Sequence, residues 1–201
     1  MRVCGLVGLG LCLALTGPAA LNAHAAAAAR AATQTSGQAA QVPPAESLNG
    51  LLTMMEHEVV GAADAMPAEK YDFAPATSMG LYTGVRSFSA QVKHLAESNY
   101  EFFAPWGGPG AVDPKTIEAL KTKDQIMEAL RVSYAYAHHA INTITPENAF
   151  EALPGPPQRK MTRVSMAAFG MAHSMDHYGQ LVEYLRMNGI VPPASRHTGR
   201  R

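Results

Sequence analysis

The chain has 201 residues and a formal charge of +0, from 16 basic and 16 acidic side chains, so the basic footprint of a nucleic-acid-binding protein is absent. Hydrophobic residues make up 47% and charged residues 16%, enough apolar material for one ordinary core, which excludes wholesale disorder. Val, Ile and Thr do not gather into alternating runs, and this favours helices over strands.

The first 25 residues read as a secretory signal peptide. Arg2 supplies the positive start, Cys4 to Leu15 the apolar run, and Ala23-His24-Ala25 a small-x-small cleavage site. The apolar run is shorter than the roughly 20 residues of a membrane span, so no stable span is expected once the leader is removed. Both cysteines, Cys4 and Cys12, fall inside this segment. The mature chain therefore offers no disulfide, no thiolate nucleophile and no cysteine metal site. Residues 26–45 are rich in Ala and Gln, lack periodicity and end at Pro43-Pro44, the pattern of a flexible leader.

Residues 46–194 carry four helical patterns. Glu46 to Ala65 places Leu48, Leu52, Met55, Val59 and Ala62 at alternating four-three spacing, with Ser47 as the expected N-cap. A loop runs from Met66 to Arg86. Ser87 is positioned to cap a second helix, whose core face is Phe88, Val92, Leu95, Asn99 and Phe102, with Lys93, Glu97 and Glu101 on the solvated side. A Gly/Pro cluster around Trp106 ends it, where a solitary anchoring aromatic is expected. The third helix spans about Lys123 to Ile141, opened by a Thr122–Gln125 capping box and buried through Ile126, Leu130, Tyr134, Ala137 and Ile141. The fourth covers about Thr162 to Asn188, ends at Gly189, and shows a stripe of Val164, Ala168, Met171, Met175, Tyr178, Val182 and Leu185. The expected fold is an all-α, antiparallel four-helix bundle with a long crossover between helices 1 and 2. Residues 195–201 form a basic tail expected to be disordered.

The chemistry falls on the second and fourth helices. His173 and His177 are four apart, so both project from one face, at the edge of the apolar arc. The intervening Ser174, Met175 and Asp176 lack the glutamate of a metalloprotease helix. His94 flanks the apolar stripe of the second helix, with Gln91 and Ser98 one turn away on the same side. Three neutral imidazoles suit a divalent ion such as zinc, nickel or iron and leave a coordination position open. No carboxylate is placed as a general base, because helical arithmetic puts Asp176 and Glu97 on solvated faces. Of the remaining histidines, His57 reads as solvated, His138 and His139 as helix-end residues favoured by the dipole, and His197 as part of the tail.

Three stretches carry a family resemblance: HSMDHYGQLVEYLRMNGIVPP at 173–193, AADAMPAEKYDFAP at 62–75 and VRSFSAQVKHLAESNY at 85–100. They resemble the DinB-like (DinB/YfiT) superfamily of four-helix-bundle metalloproteins, in the family's order of elements. The resemblance implies a divalent metal held by His94, His173 and His177. It also implies small-molecule chemistry, including thiol-dependent transfer and hydrolysis. Low-molecular-weight thiols are mainly cytoplasmic, so export to the periplasm or the extracellular space fits hydrolysis better. The expectation is thus an exported metal-dependent hydrolase or transferase acting on a small molecule. A non-catalytic metal- or ligand-binding bundle is the alternative, and a homodimer is compatible with either. An imidazole pKa of about 6.5 puts protons in competition with the metal below that pH.

Overall fold

The computed structural model describes residues 40–155 and 160–196. The expected signal peptide, most of the leader, and His24 and His197 lie outside the described residues. The chain separates into a unit over residues 1–41, described only at 40 and 41, and a unit over residues 42–201 that holds every element named below.

Five helices follow in order: α1 (Pro44–Ala65), α2 (Phe88–Phe103), the single-turn α3 (Pro114–Glu118), α4 (Lys123–Asn142) and α5 (Arg163–Met187). The described residues contain no strand, only one isolated bridge between Ala152 and Thr162. None of these helices is long and apolar enough to cross a membrane.

Local chemistry sets each helix end. α1 begins at Pro44 rather than at a Ser47 cap, and the Ser47 N–H already donates to Pro43 O at 3.1 Å. Proline suits the first helical position because it lacks an N–H that would have no partner there. Ser87 caps α2 as expected, its Oγ accepting from Ala90 N at 3.3 Å. The crossover supplies the remaining acceptors: Phe88 N donates to Phe73 O at 2.8 Å and Ser89 N to Tyr71 O at 2.7 Å. Tyr71 packs edge-on against Phe88, with ring centroids 5.2 Å apart, so the long link is bound to the start of α2. Both halves of the Thr122–Gln125 capping box form on α4. α5 has a second box, Thr162–Ser165. Gly189, at φ 74°, takes the left-handed turn that closes α5, with Ile190 N reaching back to Leu185 O at 3.0 Å.

Four helices form the bundle: α1 packs on α4 and α5, and α2 packs on the same two. α1 and α2 thus occupy opposite corners, and the crossover between them spans the bundle end. Contacts along the seams fix the directions. Asn49 pairs with Asn142, and Lys123 with Asp64, so α1 and α4 are antiparallel. Gln91 meets Gln180 and Ser98 meets His173, so α2 and α5 are antiparallel. Asn99 meets Ser133, and Trp106 Nε1 donates to Ala140 O at 3.2 Å, so α2 and α4 run in the same direction. That parallel pair requires a second long connection, and residues 104–122 provide it through α3.

The core is continuous from Leu52 and Val59 through Leu95 and Leu130 to Leu181 and Leu185. On α2 Phe103 is fully buried, while the expected Phe102 is half-buried. On α5 the buried face is rotated from the apolar stripe: Ala168 is exposed, whereas Ala167, Gly170, Ser174 and His177 are buried. The reason is steric. A Cβ on Gly170 would lie 3.3 Å from Phe103 Cε2 and 3.4 Å from Phe102 Cδ2, so the small positions of α5, not its largest apolar ones, face α2. Asn99, placed on the core face of α2 by its spacing, is buried and donates to Ser133 Oγ at 3.0 Å.

Replacing Gly170 with valine should destabilise the protein by about 1–3 kcal/mol, because the added carbons force Phe103 and Phe102 from their places. Urea unfolding checks this. A stability equal to or above wild type, as helix propensity alone would give, would show that α2 and α5 do not depend on this contact.

Candidate metal centre

His94 projects from α2, and His173 and His177 from the facing side of α5. Their ring centroids lie 5.1 Å apart for His94–His173, 4.9 Å for His94–His177 and 4.6 Å for His173–His177. One ring nitrogen from each can be chosen so that all three lie within 4.8 Å of one another. The structure therefore brings together the three histidines singled out in the sequence. Two nitrogens bound to one ion at about 2.0–2.1 Å can be at most about 4.2 Å apart, so small ring rotations close the set on an ion.

The rings differ in their surroundings. His177 is 5% exposed, and its Nδ1 lies 2.5 Å from Gln91 Oε1. His173 is half-buried under aromatic edges, with Phe102 at 5.2 Å and Phe169 at 6.4 Å between centroids, and its Nε2 lies 3.2 Å from the buried Ser98 Oγ. His94 has Nδ1 4.0 Å from Glu97 Oε2. Glu97 is thus not on a free solvated face: it is half-buried, and burial, followed by the neighbouring Glu118 carboxylate, raises its pKa. The helical arithmetic failed here because α3 and the chain leading into it cover that side of α2.

Burial also sets the charge of the imidazoles. Desolvation, then the Arg86 guanidinium, brings the His94 pKa down to about 4. Desolvation, then the His173 and His94 rings, brings His177 to about 4, and desolvation also lowers His173. All three are neutral at pH 7, the form whose lone pair binds a cation. The donor set of three imidazoles and no thiolate fits a borderline divalent ion. Beside His94 a cleft of about 470 Å³ opens, lined by Arg86, Lys93, Glu97, Lys115 and Glu118.

The other histidines separate from the cluster. His57 is exposed, as read. His138 is not a helix-end residue: its two ring nitrogens contact Asn49 Oδ1 at 2.7 Å and Glu56 Oε2 at 3.0 Å, pinning α4 to α1. Trp106 is an anchor, bonded to Ala140 and edge-on to Phe103. Gln180 escaped the sequence reading altogether, although it accepts a hydrogen bond from Gln91 at 2.6 Å. Its signal was the spacing of four from Asp176 on a helix.

The depressed pKa values give a signed prediction. Between about pH 4 and 6.5 the unfolded chain binds more protons than the folded one, so stability rises with pH across that window and its contribution is complete above it. Proton competition for a bound metal in the folded protein accordingly sets in below the 6.5 of a free imidazole. His177→Ala should abolish stoichiometric zinc binding and flatten the slope, with the bundle still folded. Urea unfolding at about pH 5 and 7.5, with zinc or chelator, tests both points. Equal stability at the two pH values in the wild type would contradict the assignment.

The model of the DinB superfamily matches residues 51–181. That span reaches from the second turn of α1 to within two turns of the end of α5 and contains all three clustered histidines. No curated protein matches the chain. With the bundle, its long first crossover and a match over more than half of its length, this chain belongs to the DinB superfamily.

Proposed function

We propose that this is an exported DinB-superfamily protein that binds one divalent ion through His94, His173 and His177 and uses it on a small-molecule substrate, as a hydrolase or transferase. The observation that supports the reading is the convergence of three neutral imidazoles from two helices, with their nitrogens within 4.8 Å. Zinc, nickel and iron(II) all suit this donor set. An ion held by three protein ligands supplies Lewis-acid polarisation of a substrate oxygen and lowers the pKa of a coordinated water.

The chain's own residues define the rest of the site. Phe102 and Phe169 shield His173 from solvent on one side. The cleft beside His94 has the size of a small-molecule pocket, and Arg86 at its edge forms no ion pair among the described residues. Glu97 is half-buried beside His94 and lines that cleft, and burial raises its carboxyl pKa. Export rests on the charged start, apolar run and small-residue cleavage site of residues 1–25. It favours hydrolysis, since water is the co-substrate available outside the cytoplasm.

Metal analysis of protein purified without a histidine tag should find about one divalent ion per chain in the wild type, lost on alanine replacement of any one of the three histidines. In the cobalt(II)-loaded protein, azide should shift the visible spectrum, because three protein ligands leave a position open. Full metal content with no response to azide would identify a closed, non-catalytic site. Unchanged metal content in the alanine variants would overturn the reading.

A further inference from the structure

A chain of hydrogen bonds leaves the buried end of the cluster and runs to solvent. His177 Nδ1 lies 2.5 Å from Gln91 Oε1. Gln91 Nε2 donates to Gln180 Oε1 at 2.6 Å, and Gln180 Nε2 donates to Asp176 Oδ2 at 3.1 Å. Gln91 is 2% exposed on α2, and Asp176 is exposed on α5. The chain therefore crosses from α5 to α2 and back before it reaches water.

Such a chain has a direction. A primary amide donates only from nitrogen and accepts only at oxygen, and an ionised carboxylate accepts only. Asp176 thus draws the Gln180 nitrogen towards itself and turns the Gln180 oxygen to Gln91. The Gln91 nitrogen is committed in turn, and its oxygen faces His177. An oxygen acceptor on Nδ1 requires the proton to be there, and in the neutral ring this leaves Nε2 with the lone pair.

We propose that Asp176, acting through Gln180 and Gln91, fixes His177 in the Nδ1–H tautomer and so presents its Nε2 lone pair to the three-histidine cluster. The three are positioning residues, and none is a ligand. Reversal of the chain would place an amide N–H on Nδ1 and a proton on Nε2, blocking the nitrogen that faces the cluster. That His177 serves a metal rests on the function proposed above, whereas the tautomer follows from the hydrogen bonds alone. A residue on the solvated face of α5 thereby controls the chemistry of one on its buried face.

The test is the multiple-bond ¹H–¹⁵N correlation spectrum of the His177 ring in chelator-treated protein, with zinc affinity measured in parallel. The wild type should show one tautomer, Nδ1–H. Asp176→Lys, at an exposed position, replaces an acceptor by a donor. This variant should show the Nε2–H form and bind zinc about 10–100-fold more weakly. Gln91→Leu should cost as much in affinity, while Asp176→Glu, which keeps a carboxylate within reach of Gln180, should restore both readouts. The proposal is overturned if the wild-type ring is Nε2–H, or if the tautomer is unchanged in both Asp176→Lys and Gln91→Leu. Absence of zinc binding in the wild type would instead refute the metal reading, and the tautomer spectra would still decide this one.

Discussion

Gly170 carries no side chain, and the Phe103 ring occupies the space that a Cβ there would crowd at 3.3 Å. That contact sets how near α2 and α5 come, and the spacing of these two helices governs everything at the cluster. His94 meets His173 and His177 across the seam only because the backbones are close. The same approach brings Ser98 to His173 and Gln91 to both His177 and Gln180. A bundle joined by larger apolar residues here would be an equally good core and would hold the imidazoles apart.

Burying three imidazoles carries an electrostatic cost that the fold turns to use. In this cluster the charged form of each ring is disfavoured by lost solvation, and at His94 and His177 also by neighbouring cationic groups and rings, so the pKa values fall. The rings stay neutral, and neutral rings need hydrogen-bond partners of their own. Gln91 meets this need for His177, and Ser98 for His173. Desolvation and the hydrogen bonds to the rings thus act together: one removes the proton from the lone pair, and the other fixes on which nitrogen the lone pair lies.

Much of this architecture was legible in the residues. The Thr122–Gln125 box, the Ser87 cap and the four helices each rest on local physics, and each recurs in the fold, although the buried face of α5 is rotated from its apolar stripe. The three histidines were legible because helical spacing places His173 and His177 on one face and His94 beside the apolar stripe of the second helix, and the family resemblance pointed to the same three. What local patterns missed was set by tertiary contact. Gly170 and Ser174 look like gaps in a stripe until α2 packs on them. Glu97 looks solvated until α3 and its approach cover that side of α2. His138 looks like a helix end until α1 presents Asn49 and Glu56 to it. The parallel pairing of α2 with α4 is likewise invisible to periodicity, which carries no information about which corner a helix occupies.

X-ray absorption at the metal edge of the zinc-loaded protein reads whether His94, His173 and His177 converge on one ion. Nearest neighbours of nitrogen and oxygen should appear at about 2.0–2.1 Å, with the longer-range scattering of three imidazoles. Replacement of any one of the three by alanine should reduce that scattering to two rings or release the ion. A wild-type spectrum with one imidazole or none would rule out this three-histidine site.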